Sequence, residues 1–147
     1  MLEKLYPLIL SLLGPFVVIY FKLIPSDIAN FKDILNSTIS IGSIAVGFLA
    51  AAVTLLPSLG SNKLVKVLKQ MGAYTKLIKY LISAIVALFL TSLLSVLGLF
   101  LVQDSMGIIN RIFLGVWIYA FIFSILSSFR VIRNFTKFLV LSSNEDD

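Results

Sequence analysis

The chain has 147 residues, of which 59% are hydrophobic and 13% charged, with a net charge of +5 at pH 7. A soluble domain of this size is roughly 45–50% apolar and about 25% charged, so the long uncharged runs point to an integral membrane protein. Cysteine and histidine are both absent, which excludes disulfides, thiolate metal sites, thiol catalysis and imidazole acid–base chemistry.

A bilayer core about 30 Å thick needs about 20 helical residues to cross it. Four stretches approach that length: Leu5–Ile24, Ile39–Leu59, Leu81–Val102 and Ile108–Phe129. The expected fold is therefore all-α, a single transmembrane domain over residues 1–147 with four spans. Glu3 stands where a signal peptide is positive, and no small-x-small cleavage site follows, so the first stretch reads as a retained span. Pro7, Gly14 and Pro15 interrupt it, and Lys22 near its end can snorkel to the interface. It is either a kinked span or a broken, re-entrant helix beside a water-filled cavity.

The second span carries small residues at Ser40, Ser43, Gly47, Ala51, Thr54 and Ser58. Steps of three or four place them on one helix face. Ser43, Gly47 and Ala51 repeat a small-xxx-small pattern that permits close helix contact. The third span has a similar stripe at Ala84, Ala87, Thr91, Ser95 and Gly98, and the fourth has Ala120, Ser124 and Ser127. Such stripes serve either helix packing within one subunit or a narrow pore between copies. The second span, with the longest stripe, is the better pore candidate.

Between the second and third spans, Lys63, Lys66, Lys69, Lys76 and Lys79 fall within seventeen residues. Leu64, Leu68, Met71, Leu77 and Ile78 lie near one helical face, with Lys63, Lys66 and Lys69 opposite. This predicts a basic amphipathic helix at the interface, bent at Gly72 and leading into the third span. Its lysines mark topology and contact anionic lipid, each gaining about 1 kcal/mol. Alternatively, an oligomer gathers them into a basic ring that holds a phosphate-rich ligand, with Tyr74 and Tyr80 stacking on bases or anchoring the interface.

The third and fourth spans are joined by the short link Gln103–Gly107 and form an antiparallel hairpin. Arg130 and Arg133 follow the fourth span and join the same basic end. With four spans, nine of the twelve positive charges share one side, leaving only Lys22, Lys32 and Arg111 on the other. The positive-inside rule then places both termini in the cytoplasm.

No acidic or basic residue lies near the centre of any span, so a pump or coupled transporter is not expected. No metal-ligand spacing, phosphate loop or acyl-transfer signature is present. The chain reads as a non-enzyme without metal or cofactor.

Two segments carry a family resemblance. They are Gly47-Phe48-Leu49-Ala50-Ala51-Ala52 with Leu55-Leu56, and Leu68-Lys69-Gln70-Met71-Gly72-Ala73-Tyr74 running through Lys76–Leu81 to Gly98-Leu99-Phe100. Together they resemble small bacterial membrane proteins of anti-phage defence loci, nearest in pattern to the membrane effector of Hailong-type defence. The resemblance covers about half the chain. It implies a homo-oligomeric, channel-like effector that disrupts the host membrane, and a nucleotidyltransferase whose oligonucleotide product keeps it silent. The expectation is thus an inner-membrane homo-oligomer, with a tetramer favoured, that depolarises the membrane under control of a nucleotide or oligonucleotide. The alternatives are a non-catalytic membrane scaffold or a holin-like lysis protein.

Overall fold

The computed structural model describes residues 2–58, 72–101 and 107–143, which are helical apart from short turns. The elements are α1 (Leu2–Ser11), α2 (Leu13–Tyr20), a 3-10 turn (Pro25–Asp27), α3 (Phe31–Ser58), α4 (Ala73–Leu101) and α5 (Gly107–Ser143). Three helices are long and apolar enough to cross a membrane, over Phe31–Thr54, Tyr74–Leu101 and Gly107–Thr136. The first apolar segment, Tyr6–Tyr20, is shorter and divided.

Proline chemistry explains the division. Pro15 has no N–H to give the Ser11 carbonyl, and its ring crowds that carbonyl. α1 accordingly stops at Ser11. The Ser11 hydroxyl turns back to the Leu8 carbonyl at 2.9 Å, and the Leu12 N–H takes the Ile9 carbonyl at 3.2 Å. Regular bonding resumes when the Phe16 N–H donates to the Leu12 carbonyl.

Both short helices lie along α5. The Tyr6 hydroxyl donates to the Leu126 carbonyl at 3.3 Å. Gly14 sits where any Cβ would strike Ile118 and Ile122. Val18 shares a buried cluster with Leu114 and Trp117. Contacts that advance from residue 6 to 18 thus retreat from 126 to 114, so α1–α2 runs antiparallel to α5.

The turn into α3 uses two residues with positive φ. Lys22, at φ 53°, closes α2, with the Leu23 N–H reaching the Val18 carbonyl and the Lys22 N–H reaching that of Ile19. This is the Schellman pattern, which glycine more often completes. Pro25 then opens the 3-10 turn, and the Asp27 carboxylate accepts the Ile24 N–H at 2.9 Å. Asn30, at φ 55°, ends the turn. Its carbonyl accepts from the Asp33 and Ile34 N–H groups, the first bonds of α3.

α3 packs along α4, α4 along α5, and α1–α2 along the far side of α5. Two buried clusters hold them. At one end Phe31 and Leu35 meet Val18, Phe113, Leu114 and Trp117. At the other, Leu49 meets Leu77, Leu81, Ala84, Leu88 and Val131. The outer surface is studded with large apolar side chains such as Phe16, Ile44, Phe48, Phe100 and Phe129. Water-soluble monomers rarely expose apolar surface on that scale.

The helices outrun the predicted spans. α3 begins at Phe31 rather than Ile39, α4 at Ala73 rather than Leu81, and α5 continues past Phe129 to Ser143. Hydropathy marks where a helix enters hydrocarbon, whereas backbone hydrogen bonding continues until a turn residue or glycine stops it. Gly72, at φ 66°, is such a stop and lies at the predicted bend. The amphipathic helix expected before it, with Lys63, Lys66 and Lys69, lies outside the described residues.

Candidate functional site

The small-residue stripes separate into two kinds. On α4, Ala84, Ala87, Thr91, Ser95 and Gly98 are all buried inside the subunit. Thr91 Oγ1 is shared between the Ala87 carbonyl at 2.8 Å and the Ala120 carbonyl of α5 at 3.0 Å. Ser95 donates to the Thr91 carbonyl at 2.9 Å and accepts the Trp117 indole N–H at 2.8 Å. A Cβ on Gly98 would lie 2.6 Å from Phe113 Cζ and 3.0 Å from Leu35 Cδ1. On α5, Ser124 and Ser127 are likewise buried. These stripes let α3, α4 and α5 approach closely while every hydrogen bond to Thr91 and Ser95 stays internal, as a low-dielectric setting requires.

The stripe on α3 does the opposite. Ser40, Ser43, Gly47, Ala51 and Thr54 are all exposed, and nothing lies within 4 Å of a Cβ placed on Gly47. Ser58 ends α3, and its side chain lies outside the described residues. The packing face of α3 is instead Phe31, Leu35, Thr38, Gly42 and Leu49. At 100° per residue the two faces are close to opposite sides of the helix. Packing within one subunit therefore accounts for the stripes of α4 and α5 but not for that of α3. The α3 hydroxyls spend their protons locally: Ser40 on the Asn36 carbonyl, Ser43 on Ile39 and Thr54 on Ala51, at 2.8–3.0 Å. The face is thus small, nearly flat and without a proton in need of an acceptor.

The basic end lies where α4 starts and α5 leaves the bundle. Lys76, Lys79 and Arg133 are exposed there. Arg130 is not: it is 5% exposed, with its guanidinium 4.1 Å from the centre of the Tyr80 ring. A desolvated cation over an aromatic face is worth about 2 kcal/mol or more, so Arg130 also clamps α5 to α4. Tyr74 and Tyr80 pack against the buried cluster of Leu77 and Leu81. That occupies one face of Tyr80, which the sequence left free for base stacking or interfacial anchoring. The Arg130–Tyr80 pair was not foreseen, because fifty residues separate its members and only the hairpin geometry brings them together. Among the described residues, no three His, Cys, Asp or Glu side chains come together in a metal-binding group.

Compared with known proteins, the chain matches no family model, no curated sequence and no solved structure.

Proposed function

We propose that the chain is a homo-oligomeric, non-catalytic effector of the bacterial inner membrane that depolarises it in anti-phage defence. The observation that carries this reading is the α3 stripe: Ser40, Ser43, Gly47, Ala51 and Thr54 face outward, while the α4 stripe is buried and the α5 stripe is buried apart from a half-buried Ala120. A face of small residues at a spacing of four suits helix-to-helix contact between copies better than it suits lipid. Around a symmetry axis, with a tetramer favoured, it lines a narrow path with hydroxyls and methyl groups, which would be weakly selective and gated by dewetting.

In this reading α1–α2 is a broken fourth crossing, because it follows α5 antiparallel from Leu126 to Leu114. Both termini are then cytoplasmic, by the asymmetry of lysine and arginine. Lys63, Lys66, Lys69, Lys76, Lys79 and Arg133 form the ring that meets an anionic ligand, a nucleotide or oligonucleotide made by a nucleotidyltransferase. Arg130 supports that ring from beneath.

Following membrane potential with a dye after induction tests the function. Expression is expected to collapse the potential, and co-expression of the ligand-producing enzyme to restore it. A potential that stays intact with and without phage would remove the pore and leave a scaffold. Changing Lys63, Lys66 and Lys69 together to Glu is expected to weaken oligonucleotide binding at least tenfold and to flatten its salt dependence, since three counterion-releasing contacts are lost. Unchanged affinity would assign those lysines to topology alone.

A further inference from the structure

A cleft of about 440 Å³ lies over α4, between α3 and α5. That volume falls within the roughly 300–1,000 Å³ typical of small-molecule sites. Leu88, Thr91 and Ser92 form its floor, and along α3 it extends from Asn30 to Gly42. At 1.5 Å per residue that is a length of roughly 18 Å. A polymethylene chain, about 4 Å across by van der Waals contact, fits.

Polarity is graded along the cleft. Asn30 and Asp33 are at one mouth, and Asp33 is the only carboxylate among the described lining residues. Leu88 and Phe121 lie deeper, and Ile41 is exposed at the edge. The hydroxyls of Thr38, Thr91 and Ser124 present little to an occupant. Thr38 donates to the Ile34 carbonyl at 2.8 Å, Thr91 is shared between two carbonyls, and Ser124 donates to that of Phe121 at 2.8 Å. Ser92 Oγ is buried without a hydrogen-bond partner among the described residues, pressed against Gly42. Ile34 and Ile125, both exposed, form opposite rims. The cleft therefore opens sideways onto the apolar outer surface, where lipid rather than water has access. Asp33 lies two residues past Phe31, where the apolar stretch of α3 begins, so in the membrane-inserted reading it stands at headgroup depth.

We infer that this cleft binds one acyl chain of a membrane lipid whose headgroup carries an ammonium, with that ammonium at the Asp33 carboxylate. The site rests on the membrane-inserted reading but not on conduction. It ties the α3 stripe to the lipid environment, because the chain would wedge against the side of α3 that adjoins the stripe.

The test titrates the full chain, purified in detergent and stripped of lipid, with phosphatidylethanolamine or phosphatidylglycerol of identical acyl chains. Native mass spectrometry counts the bound lipid. One phosphatidylethanolamine per chain is expected, favoured at least fivefold over phosphatidylglycerol. Ile125→Trp fills the cleft from one exposed rim and Ile34→Trp from the other. Each is expected to lower occupancy at least tenfold. Asp33→Asn is expected to keep a lipid but lose the headgroup preference. Equal binding of both lipids by the wild-type chain, or wild-type occupancy in both tryptophan variants, would overturn the proposal. So would tryptophan variants that break the oligomer while retaining lipid, which would give the cleft to a second copy. Because binding is read in detergent, a chain that binds lipid but never depolarises cells would separate this inference from the pore reading.

Discussion

Replacing Ser43, Gly47 and Ala51 together with leucine is expected to abolish depolarisation while leaving the subunit folded. The three positions are exposed, and a side chain at Gly47 meets nothing. Substitutions at such sites usually change stability by no more than about 0.5 kcal/mol. Between copies, however, leucines would push the α3 helices apart and remove the close approach that small residues allow. A loss of about 1.4 kcal/mol per contact is a tenfold change in association, and the effect multiplies around a ring. Chemical cross-linking should show the oligomer reduced at least tenfold, with thermal unfolding in detergent unchanged. Gly98→Leu is the contrasting variant. Its side chain would strike Phe113 and Leu35, so it should lower stability and yield. Normal depolarisation by the triple leucine variant would place the oligomer contact on another face.

The second large effect is on stability. Trp117 is 4% exposed, meets Phe31 edge-on at 5.4 Å and stacks on Phe121 at 5.3 Å. It also gives its indole N–H to Ser95. Trp117→Ala removes the link between α3, α4 and α5 at one point and is expected to cost about 3–5 kcal/mol. Trp117→Phe keeps most of the packing and should cost about 1 kcal/mol, the net worth of one hydrogen bond. Unfolding in mixed micelles separates the two. Equal losses would mean that the hydrogen bond, not the packing, holds this junction.

The three long apolar helices were legible because their signal is additive: Leu81 through Val102 contains no charge, and the effect of each apolar residue accumulates along the run. The small-residue stripes were legible as faces, since helical spacing alone fixes them. Which partner each face meets was not. That depends on how α3 rotates about its axis, and the rotation is set by Phe31 and Leu35 finding Trp117 and Leu114 more than seventy-five residues away. The break after Ser11 was half legible. Pro15 announced an interruption, but only the local bonds of Ser11 and Leu12 show that two helices result. The sequence groups Arg130 with Arg133 at the basic end, yet Arg130 is buried and Arg133 exposed. The deciding factor is Tyr80, which the sequence places in the basic stretch before the third span.

The chain has one tryptophan, and it sits at the junction of α3, α4 and α5. Its emission is therefore an optical gauge of whether α3 is docked. Withdrawal of Phe31 and Leu35 would admit polar surroundings to the indole and shift its fluorescence to the red. Any rearrangement of α3 on ligand addition could then be timed in the unlabelled, unmutated protein, before a single ion is counted.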